Sequence, residues 1–285
     1  MTPACPVCNA RAASPRIGRG GLRLLACQGC GSAYLDAGAH PYRPETLYDQ
    51  SYFDPWDLRP GSVSWRLREE TAGARLGLLT SLGAAGRLLD LGCAGGYLVA
   101  EALRRGFDAF GLEISEHAAR LAEEVAPRRI TRGTLETASY DPGSFDVVTA
   151  FDLVEHHPEP ADLLGRIRLL LKPGGHLAAT VPDLSSLTGH VMGSVWPHYK
   201  EEHRFYPTRT AFRRLLGRSG FVPVHETAAR KILSLAYLDP LFQTYPVPLL
   251  SPASRLLTRL LPRPLREARF TVTIGERLFV ARRES

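Results

Sequence analysis

The chain has 285 residues, of which 44% are hydrophobic and 22% charged, and its formal net charge is +6. This composition excludes a disordered or collagen-like chain, and the length suits one large α/β domain with an appendage or two small domains. The charge allows weak attraction to anionic ligands but does not require a nucleic-acid partner. Because no apolar run approaches the roughly 18 residues of a membrane-spanning helix and no secretory signal is visible, a cytoplasmic protein is expected.

Four of the five cysteines lie near the N-terminus, in two Cys-x-x-Cys pairs. They are Cys5, Cys8, Cys27 and Cys30. The spacing within and between the pairs is typical of a tetrahedral zinc ribbon. Two disulfides are disfavoured by the absence of a secretory signal, and a redox dithiol would need only one pair. A zinc ribbon over residues 1–38 is therefore predicted, with a structural zinc because all four ligands would be protein thiolates.

The rest of the chain is predicted to form a connector and an α/β domain. Residues 39–83 hold a segment rich in prolines and aromatic residues and then a helical pattern from Ser64 to Leu82, interpreted as a connector with N-terminal lid helices. Over residues 84–285, strands alternate with helices, which predicts a mostly parallel sheet with helices on both faces. The predicted strands cover 87–91, 107–113, 145–151, 176–182 and 221–226, and the predicted helices cover 97–105, 117–125, 161–171 and 208–219.

The turn after the first strand of this domain has the pattern of a nucleotide-type site. Residues 90–96, Asp-Leu-Gly-Cys-Ala-Gly-Gly, follow a strand and open a helix, whose N-terminus favours a carboxylate or phosphate. Glu113 closes the second strand, where its side chain can accept both hydroxyls of a ribose. The dinucleotide fingerprint requires glycine where Ala94 and Tyr97 stand, and the G-x-x-x-x-G-K-[ST] phosphate loop is absent. These departures count against a dinucleotide enzyme and a P-loop protein.

Together with later segments, this turn resembles the class I S-adenosylmethionine-dependent methyltransferases, in the broad group that includes ubiquinone-biosynthesis-type enzymes. Ala94 replaces the middle glycine of that family's acidic-x-Gly-x-Gly-x-Gly motif. The later matching segments are residues 144–148, 153–156, 170–175, 203–206 and 215–221. The resemblance covers about residues 48–227 and a closing strand at 277–282. It implies a Rossmann-like α/β fold with a mostly parallel seven-stranded sheet whose last strand is antiparallel.

The resemblance also implies which residues would hold S-adenosylmethionine. The implied residues are Asp90, Gly92, Ala94 and Gly96 at the methionine part, Glu113 at the ribose, Ile114, Thr134 and Leu135 at the adenine, Phe151 and Asp152 at the methyl-donor end, and Tyr52 in an N-terminal lid with Tyr48 and Phe53. The substitution at Ala94 adds only a methyl group, so cofactor binding is still expected.

Histidines are the candidate catalytic bases. The sulfonium is already an activated electrophile, so the enzyme has to align the acceptor, and a hydroxyl or protonated amine acceptor also needs a base whose pKa lies near the working pH. The candidates are His157, His203 and His156, with His198 a weaker one. For His156 the structural alternative is a residue that fixes the loop after the fourth strand.

A C-terminal insertion at about 230–268 is rich in prolines and leucines. Ser251 is predicted to cap a helix with Pro252 at its first position. Leu256, Leu257, Leu260 and Leu261 then share one face of that helix, with arginines at its border. Three interpretations remain open: a lid packed on the substrate side, an interfacial helix that touches a membrane or a lipid-like acceptor, and a dimer contact.

The predicted function is methyl transfer to a small-molecule acceptor such as a sugar, polyketide or quinone-like metabolite. The alternative is an RNA-directed methyltransferase or RNA-binding protein that uses the zinc ribbon. Dispersed arginines and the lack of an aromatic–basic stacking stripe make a nucleic-acid partner unlikely. A cofactor-binding scaffold without turnover is a third hypothesis. The sequence leaves the oligomeric state open.

Overall fold

The computed structural model describes residues 2–36, 38, 48–244, 246 and 250–284. Residues 39–47 of the predicted connector therefore lie outside the described residues. The strands are β1 (Ala13–Ile17), β2 (Arg23–Cys27), β3 (Ala33–Leu35), β4 (Arg87–Leu91), β5 (Asp108–Glu113), β6 (Ile130–Arg132), β7 (Phe145–Phe151), β8 (Leu171–Pro182), β9 (Phe205–Tyr206), β10 (Phe221–Ala228), β11 (Lys231–Leu233), β12 (Phe270–Val272) and β13 (Glu276–Arg283). The helices are α1 (Gln50–Phe53), α2 (Val63–Ser81), α3 (Tyr97–Arg104), α4 (Glu116–Val125), α5 (Pro160–Leu170), α6 (Leu187–Met192), α7 (Arg209–Arg218), α8 (Leu235–Thr244), α9 (Leu250–Leu260) and α10 (Arg263–Arg266).

The central sheet has seven strands in the order β10–β13–β8–β7–β4–β5–β6. Strands β4 to β8 pair in parallel, whereas β13 runs antiparallel to both β8 and β10. The predicted seven-stranded, mostly parallel α/β fold with an antiparallel last strand is confirmed. In such a sheet the carboxyl ends of the parallel strands share one edge, which is where ligands bind. The strand order reverses between β4 and β7, so the residues after these two strands face a common crevice.

Side-chain hydrogen bonds at the helix N-termini explain why three helices begin where they do. The hydroxyls of Ser62, Ser115 and Thr208 each accept a backbone N–H from the first turn of α2, α4 and α7. Each bond satisfies a donor that the helix itself leaves unpaired. These caps fix the entry of the helices that flank the strand ends.

Two predicted boundaries are wrong. The sequence of Lys172–Gly175 predicts a helix end before a strand at residue 176, but β8 already begins at Leu171, which is buried and pairs with Phe145 of β7. Burial of Leu171 and this ladder pairing outweigh the turn signal of the Pro-Gly-Gly sequence. In the insertion, α9 begins at Leu250, so Ser251 and Pro252 lie within its first turn and not at its cap.

The N-terminal strands form a second sheet, β1–β2–β3–β9, in which β9 comes from the α/β part of the chain. Cys5, Val7, Cys27 and Tyr34 belong to the same buried cluster as side chains of α5 and α7. The hydroxyl of Thr208 donates to the carbonyl of Cys30 at 3.2 Å. The N-terminal sheet is therefore packed directly onto the α/β domain.

The C-terminal insertion is closed at its base by the short β11–β12 ladder. Its helix α9 is turned with its small polar side chains inward: Ser254 is 4% exposed, whereas Leu256 and Leu260 are 57% and 71% exposed. The leucine face therefore does not pack on the protein in this structure. Among the described residues, no helix is both long enough and apolar enough to cross a bilayer.

Candidate active site

The turn after β4 adopts a left-handed backbone at three of its residues. The φ angles of Gly92, Ala94 and Gly96 are 68°, 46° and 83°. An alanine in this region costs about 1–2 kcal/mol relative to a favoured conformation. Part of the compensation is visible, because the Ala94 amide donates to Glu113 Oε2 at 2.8 Å. The position that departs from the all-glycine pattern thus binds the acidic residue at the end of β5.

Two buried carboxylates lie beside this turn. Glu113 also accepts the Ser115 amide through Oε1 at 2.8 Å, and Asp90 accepts the Thr149 hydroxyl at 2.6 Å. Burial raises the pKa of Glu113, while the backbone amides of Ser115 and Ala94 oppose that rise. Burial likewise raises the pKa of Asp90 to about 7, against the lowering effects of Thr149 and Arg75. Both predicted cofactor carboxylates are therefore fixed in orientation before any ligand binds.

A short N-terminal segment, residues 48–65, covers the turn; we name it the lid segment. A Cβ on Gly95 would lie 3.1 Å from the Leu58 carbonyl oxygen and 3.4 Å from the Trp65 ring, so only glycine fits under this segment without displacement. Tyr52 and Phe53 pack in one apolar cluster with Ala94. The structure therefore brings the predicted lid residues onto the predicted methionine site.

The residues predicted for the adenine lie at the neighbouring strand ends. The Gly133 amide donates to the Glu113 carbonyl at 2.9 Å, which places the residues after β6 beside the end of β5. Thr134 follows directly and donates its amide to the Thr137 hydroxyl at 2.9 Å. Leu135 packs against the core, and Ile114 is half-buried. The residues predicted for the adenine thus follow the ends of the adjacent strands β5 and β6.

At the end of β7, Asp152 is anchored at several points. Its backbone is left-handed, with φ 54°, and its Oδ1 accepts the Thr180 hydroxyl at 2.7 Å. Its Oδ2 lies 3.2 Å from Lys231 Nζ. Burial acts to raise the pKa of Asp152, but Lys231 and Arg75 outweigh it and hold that pKa below its usual value. Phe151, just before it, lies under the Arg75 guanidinium at 4.4 Å.

Several cations near this point were missed by sequence reasoning. Lys231 joins Asp152 to Glu276, whose Oε1 lies 2.7 Å from Lys231 Nζ. Burial acts to lower the pKa of Lys231, but these two carboxylates raise it overall. Arg68 and Arg75 stand seven residues apart on α2, a spacing that puts both on one helix face and could have signalled them. No local pattern marks Lys231, which the insertion brings from β11.

A second group of titratable side chains lies beyond Asp152; we name it the Glu-His-His cluster. It consists of Glu155, His156 and His203, whose nitrogen and oxygen ligand atoms all lie within 4.8 Å of one another. The three residues are buried, and the two imidazole rings are 4.7 Å apart. Burial lowers the pKa of His156 to about 4 and that of His203 well below its usual value, so both rings are neutral near pH 7.

The structure thus brings together two of the three predicted catalytic histidines. His157 lies outside the cluster, with its Nδ1 3.0 Å from the Glu159 carbonyl oxygen. The weaker candidate His198 has its Nε2 2.9 Å from the Ile274 carbonyl oxygen, and its ring centre is 6.4 Å from that of His203. Sequence reasoning did not select Glu155, although it sits next to His156 in the motif.

The four N-terminal cysteines form a compact sulfur cluster. Their Sγ atoms all lie within 4.8 Å of one another, with 3.8 Å between Cys5 and Cys30 and 3.4 Å between Cys8 and Cys27. Sulfurs bound to one tetrahedral zinc at about 2.3 Å would be about 3.8 Å apart. Disulfide sulfurs would be only about 2.05 Å apart. The donor set and its spacing fit a zinc ion.

Comparison with known proteins places the chain among methyltransferases. Residues 65–226 match the methyltransferase domain family. A ubiquinone biosynthesis O-methyltransferase of Methylococcus capsulatus is 41% identical over 90 residues, which is 28% of this chain and 37% of that protein. The enzyme of the same name from Alkalilimnicola ehrlichii is 39% identical over 92 residues, 29% of this chain and 36% of that protein. The similarity spans little more than a third of these relatives.

Among solved structures, the magnesium protoporphyrin IX methyltransferase of Synechocystis PCC 6803, crystallised with S-adenosylhomocysteine, superposes with a TM-score of 0.53. The identity is 18%, and the superposition covers 84% of this chain and 98% of that chain. The likeness shows a shared fold.

Proposed function

Because this chain belongs to the methyltransferase domain family and has the fold of the class I S-adenosylmethionine-dependent methyltransferases, we propose that it transfers the methyl group of S-adenosylmethionine to a small-molecule acceptor. The observation that carries the proposal is that backbone hydrogen bonds fix the orientation of the Glu113 carboxylate. Its two oxygens accept the Ala94 and Ser115 amides, directly beside the left-handed glycine turn after β4. This is a carboxylate prepared for ribose hydroxyls at the carboxyl edge of the sheet.

Bound S-adenosylmethionine supplies an activated methyl group on a sulfonium. The chain's own residues have to bind the cofactor and the acceptor, orient them towards each other and exclude water. Such positioning can contribute about 7–11 kcal/mol of the barrier. In the proposed arrangement Asp90 holds the cofactor's amino group, and Tyr52 and Phe53 of the lid segment cover the methionine part. The remaining proposed contacts are Gly92, Ala94 and Gly96 at the methionine, Ile114, Thr134 and Leu135 at the adenine, and Phe151 and Asp152 at the methyl-donor end.

The Glu-His-His cluster is proposed to face the acceptor. It follows Asp152 in the chain, and its imidazoles are neutral near pH 7 because burial lowers their pKa values. A neutral imidazole can accept a proton or bind a ligand through a lone pair. We propose His203 and His156 as the catalytic pair; His157 stays a prediction outside the cluster. The relatives' names support a quinone-like acceptor among the sugar, polyketide and quinone-like classes.

We further propose that α9 meets an anionic lipid surface or a lipid-like acceptor. Its leucines point outward while Ser254 points inward, the reverse of a helix that packs by its apolar face. Residues 250–269 contain five arginines and one glutamate. Exposed leucines flanked by arginines favour an interfacial helix on anionic headgroups. We therefore propose a cytoplasmic enzyme that contacts such a surface only peripherally. We do not favour RNA as a partner.

Calorimetry tests the cofactor assignment. We expect saturable binding of S-adenosylhomocysteine and none of a nicotinamide coenzyme. Glu113→Gln should weaken S-adenosylhomocysteine at least tenfold, because a charge-assisted hydrogen bond becomes a neutral one. The matched control Glu124→Gln, on the exposed face of α4, should bind like the wild type. Tight binding of a nicotinamide coenzyme without S-adenosylhomocysteine binding would contradict the proposal. Transfer of labelled methyl groups into a metabolite extract, compared with transfer into RNA, would then identify the acceptor class.

We also propose that Cys5, Cys8, Cys27 and Cys30 hold a structural zinc. The sulfurs sit in a core shared with α5 and α7, so the ion would stabilise the contact between the N-terminal sheet and the α/β domain. The Cys8→Ser variant should contain less zinc than the wild type and unfold at a lower temperature. The Cys93→Ala variant, changed at a buried cysteine outside the cluster, should keep its zinc. Equal zinc content in both variants would contradict this assignment.

A further inference from the structure

We propose that Arg68 binds an anionic group of the methyl acceptor, a carboxylate or a phosphate, at a distance from the atom that receives the methyl group. The proposal rests on the proposed function for the existence of an acceptor. It narrows the acceptor to sugar, polyketide or quinone-like molecules that carry such a group. The observation behind it is a guanidinium without a carboxylate partner, held between the lid segment, α2, α3 and the insertion.

Arg68 is a half-buried cation that no carboxylate neutralises. Its Nε donates to the Ser64 hydroxyl and its Nη2 to the Tyr237 hydroxyl, both at 3.2 Å. Within the described part of the chain, no aspartate or glutamate forms an ion pair with it. A cation that is removed from water is usually paired, because desolvation of an unpaired charge is costly. An anionic ligand would supply the missing charge.

Two lysines at the acceptor end differ from Arg68 because each already has a carboxylate partner. Lys231 Nζ lies 2.7 Å from Glu276 Oε1 and 3.2 Å from Asp152 Oδ2. Lys200 Nζ lies 3.6 Å from a glutamate oxygen. The Asp152 carboxylate also acts on the charge of Arg68, but its ion pair is with Lys231. The positive charge of Arg68 is therefore left for a ligand.

Aromatic rings from three parts of the chain surround this guanidinium. Its Cζ lies 5.3 Å from the centre of the Trp56 ring in the lid segment and 5.8 Å from that of Tyr97, the first residue of α3. Tyr237 comes from α8 of the insertion. All three rings are half-buried, as the walls of an open pocket are. Ring faces stabilise a cation in place of water, and aromatic walls with a few polar groups are typical of small-molecule sites.

A hydrogen-bonded chain fixes the orientation of the Arg68 side chain. The Ser64 hydroxyl that accepts from Arg68 Nε donates in turn to the Trp56 carbonyl. The planar guanidinium matches the paired oxygens of a carboxylate or a phosphate, and its bonds to Ser64 and Tyr237 use only part of its donor set. The anion-binding group is thus oriented before an acceptor enters.

The position of Arg68 on α2 sets where the anionic group would lie. Arg75, seven residues later on the same helix face, lies over Phe151 at the proposed methyl-donor end, and its charge acts on Asp90 of the proposed cofactor site. Seven residues span about 10 Å of helix. An acceptor that reaches from Phe151 to Arg68 would bind its anionic group about this far from the reacting atom, which is within the length of a small molecule.

Binding of small probes to the full chain saturated with S-adenosylhomocysteine tests the proposal. The probes are benzoate, phenyl phosphate and benzamide, the neutral isostere of benzoate. In a titration followed by the NMR signals of the probe, at least one anion should bind at least about tenfold more tightly than benzamide, because it gains charge-assisted hydrogen bonds. The more tightly bound anion shows whether a carboxylate or a phosphate is recognised. The preference should weaken at high salt.

Variants of Arg68 assign this preference to its side chain. Arg68→Gln should remove the preference for the anions and change the affinity for benzamide less than about twofold, because only the charge-assisted bonds are lost. Arg68→Lys keeps the charge without the planar fork and should retain part of the preference. The matched control Arg214→Gln, at an exposed arginine of α7, should bind all three probes like the wild type. Circular dichroism and S-adenosylhomocysteine binding show that each variant is folded.

A second measurement uses the acceptor itself. After transfer of labelled methyl groups into a metabolite extract, the labelled product should be retained by an anion exchanger, which cationic S-adenosylmethionine is not. Treatment with a phosphatase should release the label from the exchanger if the group is a phosphate and leave it bound if the group is a carboxylate.

The failures of the two proposals are distinguishable. No preference for either anion over benzamide in the wild type, including no binding of any probe, would overturn the proposal for Arg68, as would a preference that Arg68→Gln leaves intact. A labelled product that the exchanger does not retain would also overturn it, while the proposed function would stand. If the free chain binds the anions through Arg68 but does not bind S-adenosylhomocysteine, the anion site stands and the proposed function fails.

Discussion

The two ends of the candidate site are built from different kinds of sequence. At the cofactor end, Asp90, Ala94 and Glu113 lie within two consecutive strand–turn–helix units, and each is fixed by a neighbour in the same unit or the adjacent strand. At the acceptor end, the Glu-His-His cluster and Lys231 come from three distant segments. The difference teaches that the proposed cofactor site is encoded locally, whereas the residues of the proposed acceptor end meet only when the chain has folded.

The largest expected effect is on kcat, and it distinguishes the acceptor end of the site from the cofactor end. His203→Ala should lower kcat by about 10²–10⁴-fold, because a group that handles the acceptor's proton is lost. Its affinity for S-adenosylhomocysteine should change less than about threefold, since His203 lies outside the cofactor end. Steady-state kinetics with calorimetry on the same preparation checks both values. A matching loss of cofactor affinity would show that the two ends are not independent.

A second prediction concerns the ion pairs that Lys231 makes with Asp152 and Glu276. Lys231→Gln should lower the free energy of unfolding at pH 7 by about 2–3 kcal/mol, because Glu276, 5% exposed in its side chain, loses its cationic partner. Asp152 contributes less, since its side chain is 41% exposed and solvent screens the pair. Denaturant unfolding measures the change. The control Lys172→Gln, at a surface pair with Asp146, should cost under about 1 kcal/mol.

The Lys231 variant also has a defined pH dependence. Lys231 and Arg75 hold the pKa of Asp152 below its usual value, against the opposing effect of partial desolvation. The resulting stability is present above the unfolded pKa of about 3.9 and is lost as the pH falls through the folded value. The difference between wild type and Lys231→Gln should therefore shrink in acid. A difference that stays constant down to acid unfolding would show that the ion pair between Lys231 and Asp152 contributes nothing to it.

At the cofactor end, binding should depend on pH through Asp90. Burial raises the pKa of Asp90 to about 7 in the ligand-free protein. If its ionised form holds the cofactor's amino group, the Kd of S-adenosylhomocysteine should rise by up to about tenfold per pH unit below 7 and stay flat above it. Asp90→Asn should bind more weakly at pH 8 but without this slope. Calorimetry at pH 6, 7 and 8 makes the comparison, and a sloped Asp90→Asn profile would rule out this residue.

The smallest expected effect lies on the surface of the insertion. The double substitution of Leu256 and Leu260 by serine should reduce binding to vesicles containing anionic lipid severalfold, because each removed side chain contributes apolar burial at the interface. Thermal stability should not fall, since both leucines are exposed. Co-sedimentation with anionic and with neutral vesicles measures the effect. Ala253→Ser, an exposed change on the same helix, serves as control.

Sequence analysis predicted the fold well because its signals repeat within short windows. Alternating apolar strands and amphipathic helices predicted the parallel sheet, and β7 was predicted with its observed bounds, residues 145–151. The β8 boundary was wrong because the turn-forming Pro-Gly-Gly sequence could not show that Leu171 would pair with Phe145. The cysteine quartet was found from its spacing, and the proposed cofactor residues were found from the resemblance of short motifs to those of a known family.

What the sequence by itself determined is the part whose physical cause is local. Two Cys-x-x-Cys turns bring their thiolates together in pairs, and a strand, a glycine turn and a helix place a carboxylate next to a bend, whatever the rest of the chain does. Only the tertiary structure joined Glu155 and His156 to His203, set Lys231 between Asp152 and Glu276, and turned the leucines of α9 outward. These arrangements depend on burial and on contacts between distant segments, and no spacing along the chain records either of them.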